Sequence, residues 1–202
     1  MLAALPVVGL AFLLGSIPTG VLLSRSLGGD DVRKHGSGNI GAANVVRTSG
    51  FKVGALVGLI DILKGVVPVL IGRLLGADDT ALAVIAVVAV LGHDYSVFLR
   101  FRGGKGVATT LGATLVLAPL PAVIAMLGWL LVMYLARYSS LASLVALALL
   151  PVFSAVTAQP APVVAAGVFL FVLGVWKHRD NIARLATGRE SKFRRLKPSN
   201  GG

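Results

Sequence analysis

The stretch Val107–Ala136, VATTLGATLVLAPLPAVIAMLGWLLVMYLA, is apolar for 30 residues, and its reading decides the fold. A helix needs roughly 20 apolar residues to cross a hydrocarbon core of about 30 Å. Thirty residues fit one long tilted helix, or two helices in a tight hairpin broken at Ala118–Pro121, where two prolines stand in the middle of the run. The flanking chain offers five further apolar segments: Leu2–Leu23, Val53–Leu75, Thr80–Leu99, Leu141–Ala158 and Pro162–Trp176. One long helix gives six spans, and strict alternation then carries the tail after Trp176 to the face opposite Arg25–Lys52. That tail holds Lys177, Arg179, Arg184, Arg189, Lys192, Arg194, Arg195 and Lys197. Such a split breaks the positive-inside rule. A break at Pro119 and Pro121 gives seven spans, with Arg25–Lys52, Arg100–Lys105, Arg137 and the tail all on one side. The expected fold is therefore all-α: a polytopic integral membrane protein of seven transmembrane helices. Its N-terminus is outside, and its C-terminus is in the cytoplasm.

Composition agrees. Of 202 residues, 56% are hydrophobic and only 13% charged, against about 25% charged in a soluble domain. Mean hydropathy is +0.88. The 19 Lys+Arg against 8 Asp+Glu give a net charge of +11, which suits basic cytoplasmic loops and an anionic ligand. No soluble basic domain is present for nucleic acid. Cysteine is absent, which excludes disulfides, thiolate metal sites and a cysteine nucleophile. Residues 1–202 read as one membrane-embedded domain with a basic cytoplasmic tail from about 177 to 202. No secretory signal is expected, because Met1–Pro6 has no basic n-region.

The hairpin reading makes Val107–Ala118 too short to span, at about 18 Å of helix. The preceding Arg102-Gly-Gly-Lys-Gly106 is then predicted to dip into the membrane as a re-entrant loop, which is tolerated only where protein buries it or it lines a watery cavity. Gly103, Gly104 and Gly106 can offer backbone N–H groups to an anion, with Lys105 as the charge and the next helix N-terminus alongside. This is not a Walker A loop, since Gly106 stands where a hydroxyl should follow the lysine. A second candidate is His35-Gly-Ser-Gly-Asn-Ile-Gly-Ala-Ala-Asn44, followed by Arg47. Ser37, Gly38, Asn39 and Asn44 supply small polar groups and free backbone, and Arg47 a fork suited to phosphate. In Arg137-Tyr-Ser-Ser-Leu-Ala-Ser143, Ser139 or Ser140 reads as a helix cap and Ser143 as the better ligand group. His178 and Asn181 share a helix face. Arg184 to Lys197 read as contacts to the anionic leaflet. Asp61 and Lys64 fit either an i, i+3 salt bridge or a functional intramembrane pair. Gly54-x3-Gly58 reads as helix packing.

Arg47, Lys105, His178, asparagines, serines and two Gly-rich backbones on one membrane face, with few carboxylates, make a phosphate site and a poor metal site. No metal or cofactor is expected. The His-x4-Asp pattern of many acyl-thioester acyltransferases is missing, because Ile40, Phe98 and Ala183 stand where the acid would be.

Gly15-Ser-Ile-Pro-Thr-Gly20, Gly36-Ser-Gly-Asn-Ile-Gly41, Asn44 to Arg47, Asp61 with Lys64-Gly65, Gly92-His93, Phe101 to Thr109, Ser140 to Ser143 and His178 to Glu190 carry a resemblance over nearly the whole chain. It resembles the acyl-phosphate-dependent glycerol-3-phosphate acyltransferases of bacteria, the PlsY family. The resemblance implies a multi-pass enzyme of the bacterial cytoplasmic (inner) membrane, active at the start of phospholipid biosynthesis. Such an enzyme transfers a fatty acyl group from acyl phosphate to the sn-1 hydroxyl of glycerol 3-phosphate. The products are lysophosphatidic acid and inorganic phosphate, with no acyl-CoA, and a soluble acyl-phosphate synthase is an expected partner. Two departures stand out: Ala43 replaces the family's usual Thr, and Asp94-Tyr95-Ser96 follows Gly92-His93. On this reading Ser37, Asn39, the 103–106 backbone and Lys105 hold the acyl phosphate. Arg47, Lys105, Ser143, His178 and Asn181 bind glycerol 3-phosphate. The base is His178 or the departing phosphate, and in the second case His178 donates a hydrogen bond to substrate. The alternative from another class is a membrane transporter or channel for an organic phosphate anion, against which no inverted repeat is visible.

Overall fold

The computed structural model describes residues 5–27 and 29–193. The first residues of the Leu2–Leu23 segment, and Arg194, Arg195 and Lys197 of the basic tail, lie outside the described residues. The described chain is helical: α1 Leu5–Ser16, α2 Thr19–Ser26, α3 Ala42–Ser49, α4 Phe51–Leu74, α5 Asp79–Asp94, α6 Val107–Leu117, α7 Pro119–Ala136, α8 Ser139–Val156, α9 Ala161–Lys177 and α10 Arg179–Ala186, with 3₁₀ turns at Val32–Lys34 and Val97–Leu99.

The ambiguous apolar run is two helices. α6 stops at Leu117 and α7 starts with Pro119, since proline has no N–H to continue a helix but fits its first turn. α6 has only 11 residues. Among the described residues four spans are long and apolar enough to cross a bilayer, namely α4, α5 together with the 3₁₀ turn that follows it (Asp79–Leu99), α7 and α8, and the count reaches six if two bent pairs each form one span. Those pairs are α1 with α2, bent by 43° at Ile17–Pro18, and α9 with α10, bent by 61° at His178. α6 is the remaining short apolar helix.

α5 is the central post, packed against α1, α4, α6 and α9. Its apolar window is 56% buried, against 17% for α7, which turns Leu127, Leu131 and Leu135 outward on the rim. The innermost cluster, Ala11, Val69, Ile85, Ala86, Ala89 and Ala113, joins α1, α4, α5 and α6. Two pairs approach so closely that only glycine fits. A Cβ on Gly65 would strike the Thr109 carbonyl, and one on Gly112 the Ile62 carbonyl, so α4 and α6 are notched into each other. Gly15 against Ala89 and Gly92 against Phe12 do the same for α1 and α5. Without a hydrophobic drive in lipid, this backbone approach is what membrane helices have to gain from packing. Gly54 meets Val46 of α3, so the Gly54-x3-Gly58 spacing does serve packing.

Asp61 and Lys64 form a closed buried network. Lys64 Nζ is 2.7 Å from Asp61 Oδ1 and also donates to the Ile17 carbonyl. Thr19 Oγ1 donates to the same Asp61 oxygen at 3.0 Å. The α1–α2 break takes the Ile17 carbonyl out of the helical ladder, and Lys64 gives it a buried donor.

Candidate active site

α3, α4, α6, α7, α8 and the α9–α10 bend enclose a cavity of about 380 Å³. Its polar end is set by three segments. The loop before α3 is built around Asn44. The Asn44 amide donates to the carbonyls of Val32, His35 and Asn39 at 2.8–3.2 Å, and its oxygen accepts from Ser37 N–H at 2.9 Å. A Cβ on Gly36, whose φ is +59°, would collide with that oxygen. Asn44 thus shapes the loop, and Ser37, Asn39 and Arg47 reach the lining. Ala43 also lines the cavity, which marks where the missing threonine hydroxyl would sit.

The Gly-rich segment divides in two. Gly103 N–H donates to the Asp94 carbonyl (3.2 Å) and Gly104 N–H to the His93 carbonyl (2.9 Å). A Cβ on Gly103 would strike His93 O, and one on Gly104 His93 Nε2. These two glycines press the loop onto the end of α5, their N–H groups are spent, and they are not among the lining residues. Gly38 is not a lining residue either, and its N–H donates to His35. The anion-facing part starts at Lys105 and Gly106. Gly106 is left-handed (φ +66°), and the first α6 bond runs from Thr110 N to Gly106 O. Val107, Ala108 and Thr109 therefore have N–H groups without a helical acceptor, and Val107 and Ala108 line the cavity.

The third segment is the α9–α10 bend. Lys105 Nζ donates to Asn181 Oδ1, and Asn181 Nδ2 donates to Glu190 Oε1 at 2.6 Å. Glu190 also accepts from Ser140 Oγ and Arg184 Nε, each at 2.7 Å. Its side chain is only 6% exposed. Burial pushes the Glu190 carboxyl up, but the hydrogen bonds from Ser140, Arg184 and Asn181 outweigh it and hold it below the usual range. Two expectations are corrected here. The N-cap of α8 is Tyr138 without a side-chain cap, so neither Ser139 nor Ser140 caps the helix and Ser140 serves Glu190 instead, while Arg184, read as a leaflet contact, pairs with the same acid. Sequence reasoning missed Glu190 as a site residue. The signal was its being the lone acid among the basic residues after Asp180.

His178 is buried, and its Nδ1 lies 2.8 Å from the Gly174 carbonyl. A carbonyl only accepts, so Nδ1 carries the hydrogen and Nε2 of the neutral ring is an acceptor. Burial and the Lys105 charge lower the His178 pKa to about 4. A neutral ring so tied cannot donate to substrate, which corrects the expectation that it would.

Along α8 the lining residues Ser139, Ser143, Ala146, Leu147 and Leu150 fall on one face, polar first and then apolar. Ser143 Oγ donates to Ser139 O and accepts from Trp129 Nε1 of α7. Seven residues separate Ser143 from Leu150, about 10 Å of helix. Met126 and Leu130 of α7 continue the apolar wall. Asp61 also lines the cavity, and its Oδ1 lies 3.8 Å from His93 Nδ1.

The family model for glycerol-3-phosphate acyltransferase matches residues 5–188. A glycerol-3-phosphate acyltransferase of Rubrobacter xylanophilus is 48% identical over 185 residues, covering 91% of this chain and 92% of the relative. One of Myxococcus xanthus is 49% identical over 185 residues, covering 91% and 96%. The crystal structure of PlsY (YgiH), an integral membrane glycerol 3-phosphate acyltransferase, in its glycerol 3-phosphate form matches with a TM-score of 0.91 at 42% identity, covering 95% of this chain and 96% of that one. Its lysophosphatidic acid form matches with a TM-score of 0.89, at the same identity and coverage.

Proposed function

The chain belongs to the glycerol-3-phosphate acyltransferase family, and from that premise we propose that it acylates the sn-1 hydroxyl of glycerol 3-phosphate using acyl phosphate as donor. The observation that carries this is the cavity itself. Lys105, Arg47 and the open N–H groups of α6 stand at one end, and the apolar face of α8 leads away from them. Such a site takes phosphate at its head and an acyl chain along its wall. Family membership replaces the carrier alternative.

Acyl phosphate is a mixed anhydride, already activated, so no enzyme nucleophile is required. The glycerol hydroxyl attacks the acyl carbonyl carbon, a new C–O ester bond forms, and the bond from carbonyl carbon to phosphate oxygen breaks. The products are lysophosphatidic acid and inorganic phosphate. The hydroxyl proton passes to the departing phosphate, whose negative charge Lys105 and the α6 N-terminus steady as it develops. Neutral His178 accepts the hydroxyl's hydrogen bond at Nε2 and aims its oxygen before attack, the same hydrogen turning to the departing phosphate oxygen as the C–O bond forms, while Arg47, Ser143 and Asn181 hold glycerol 3-phosphate in place.

In this reading residues 1–202 are one domain in the cytoplasmic membrane of a bacterium, with seven spans, the N-terminus outside and the cavity mouth facing the cytoplasm. A soluble acyl-phosphate synthase would supply the donor. The test is purified protein in detergent with acyl phosphate and glycerol 3-phosphate, with no thioester and no ATP. Equimolar release of phosphate and lysophosphatidic acid is expected. Turnover that appears only when acyl-CoA or acyl carrier protein is added would overturn the donor assignment.

A further inference from the structure

We propose that residues 190–193 form a strap across the cavity mouth whose aromatic end, Phe193, sets the direction of the Arg47 guanidinium, which makes Phe193 a positioning residue for the phosphate of glycerol 3-phosphate. The proposal rests on the reading of Arg47 given above. Arg47 sits near the end of α3, with an exposed side chain that would sample many rotamers if left alone. Its guanidinium carbon lies 4.5 Å from the centre of the Phe193 ring. A guanidinium stacked on an aromatic face keeps its in-plane N–H fork free, which is the edge a phosphate needs. One fork nitrogen donates to the Ser191 carbonyl at 3.4 Å, a second contact from the same strap.

The strap has its own anchors and does not depend on Arg47 for its place. At one end Glu190 is held by Ser140, Asn181 and Arg184. At the other, Phe193 N–H donates to the Arg137 carbonyl at 2.8 Å. Arg137 closes α7 in a left-handed conformation (φ +62°), and next to it Tyr138 lies 5.2 Å under the Lys192 ammonium. The strap therefore runs on from Glu190, which lines the cavity, and links Arg47 of α3 to the α7–α8 turn. The ring position is imposed by backbone, and the arginine is what adapts.

The test uses the full chain in detergent and compares Phe193→Ala, Phe193→Tyr and Arg47→Ala. Loss of one half-exposed cation–π contact should raise the KM for glycerol 3-phosphate about fivefold in Phe193→Ala, leaving kcat within about twofold. The KM for acyl phosphate and the melting temperature should stay unchanged. Phe193→Tyr keeps the face and should restore the KM. An unchanged KM in Phe193→Ala beside a defective Arg47→Ala would overturn the strap and leave the Arg47 reading standing. A lower melting temperature with reduced kcat and no rescue by tyrosine would also overturn it, because that is structural loss alone. An unaltered KM for glycerol 3-phosphate in Arg47→Ala would remove the premise itself.

Discussion

His178 owes its chemistry to where the helix ends. It follows Lys177 at the close of α9, where the Gly174 carbonyl takes its Nδ1 hydrogen and fixes the tautomer. Sequence alone suggests titration near 6.5. Burial and Lys105 move it to about 4. A group whose native pKa is lowered stays neutral as pH falls, so activity should hold from pH 8 down to about 5, apart from the titration of phosphate itself. A steep fall centred near 6.5 would show an unshifted ring. His178→Gln keeps an acceptor without a base and should retain the rate within about threefold if the imidazole only orients the hydroxyl. A loss of about 10²–10⁴ in both His178→Gln and His178→Ala would identify the imidazole as the base. Lys105→Ala should cost about 10²-fold or more in kcat while leaving the melting temperature alone. Lys105, His178 and Asn181 were legible because their residue types carry the chemistry. Glu190 was not, because a carboxylate in a phosphate site only makes sense once the hydrogen bonds from Asn181, Arg184 and Ser140 are seen.

Among the elements, the α4–α6 crossing is the most demanding. Gly65 and Gly112 each face a carbonyl of the other helix, and neither backbone can yield like a flexible side chain. Gly112→Ala should therefore destabilise by about 1–3 kcal/mol or more. Thermal unfolding in detergent should show it, with Gly9→Ala as the control, since nothing lies within 4 Å of a Cβ at Gly9. A Gly112→Ala melting temperature equal to the control's would mean the two helices separate freely. The break at Pro119 was readable from the sequence, because proline cannot continue a helix. The roles of Gly103 and Gly104 were not. A Gly-rich run beside a lysine reads the same whether its N–H groups face a ligand or the carbonyls of His93 and Asp94, and only the fold distinguishes them. The bends at Pro18 and His178 also exceed what periodicity reports.

For the whole molecule, the proposed seven-span topology is an argument from charge and can be probed directly, because the chain has no cysteine. Single cysteines at Asp78, Pro119 and Gln159 should react with impermeant reagents from outside the cell, and those at Ser49 and Ser191 should not. Labelling of Ser191 from outside would reverse the orientation and move the cavity mouth with it.

The length of α6 sets the depth of the chemistry. Eleven residues rise about 16 Å, so on the proposed topology, with the α6–α7 turn at the outer face, its N-terminus beside Lys105 stops within the thickness of a bilayer and short of the cytoplasmic surface. Two substrates of opposite habit, one dissolved in water and one in lipid, must meet there. With acyl phosphate as the proposed donor, the enzyme is then a phase-transfer catalyst, drawing one reactant from each side of a boundary and returning phosphate to water and lysophosphatidic acid sideways to the membrane. Its rate should follow the donor's mole fraction in the vesicle surface and not its concentration in the tube. Diluting the donor with inert phospholipid at constant total amount should slow turnover, whereas diluting the whole suspension with buffer at fixed glycerol 3-phosphate should leave the turnover per enzyme unchanged.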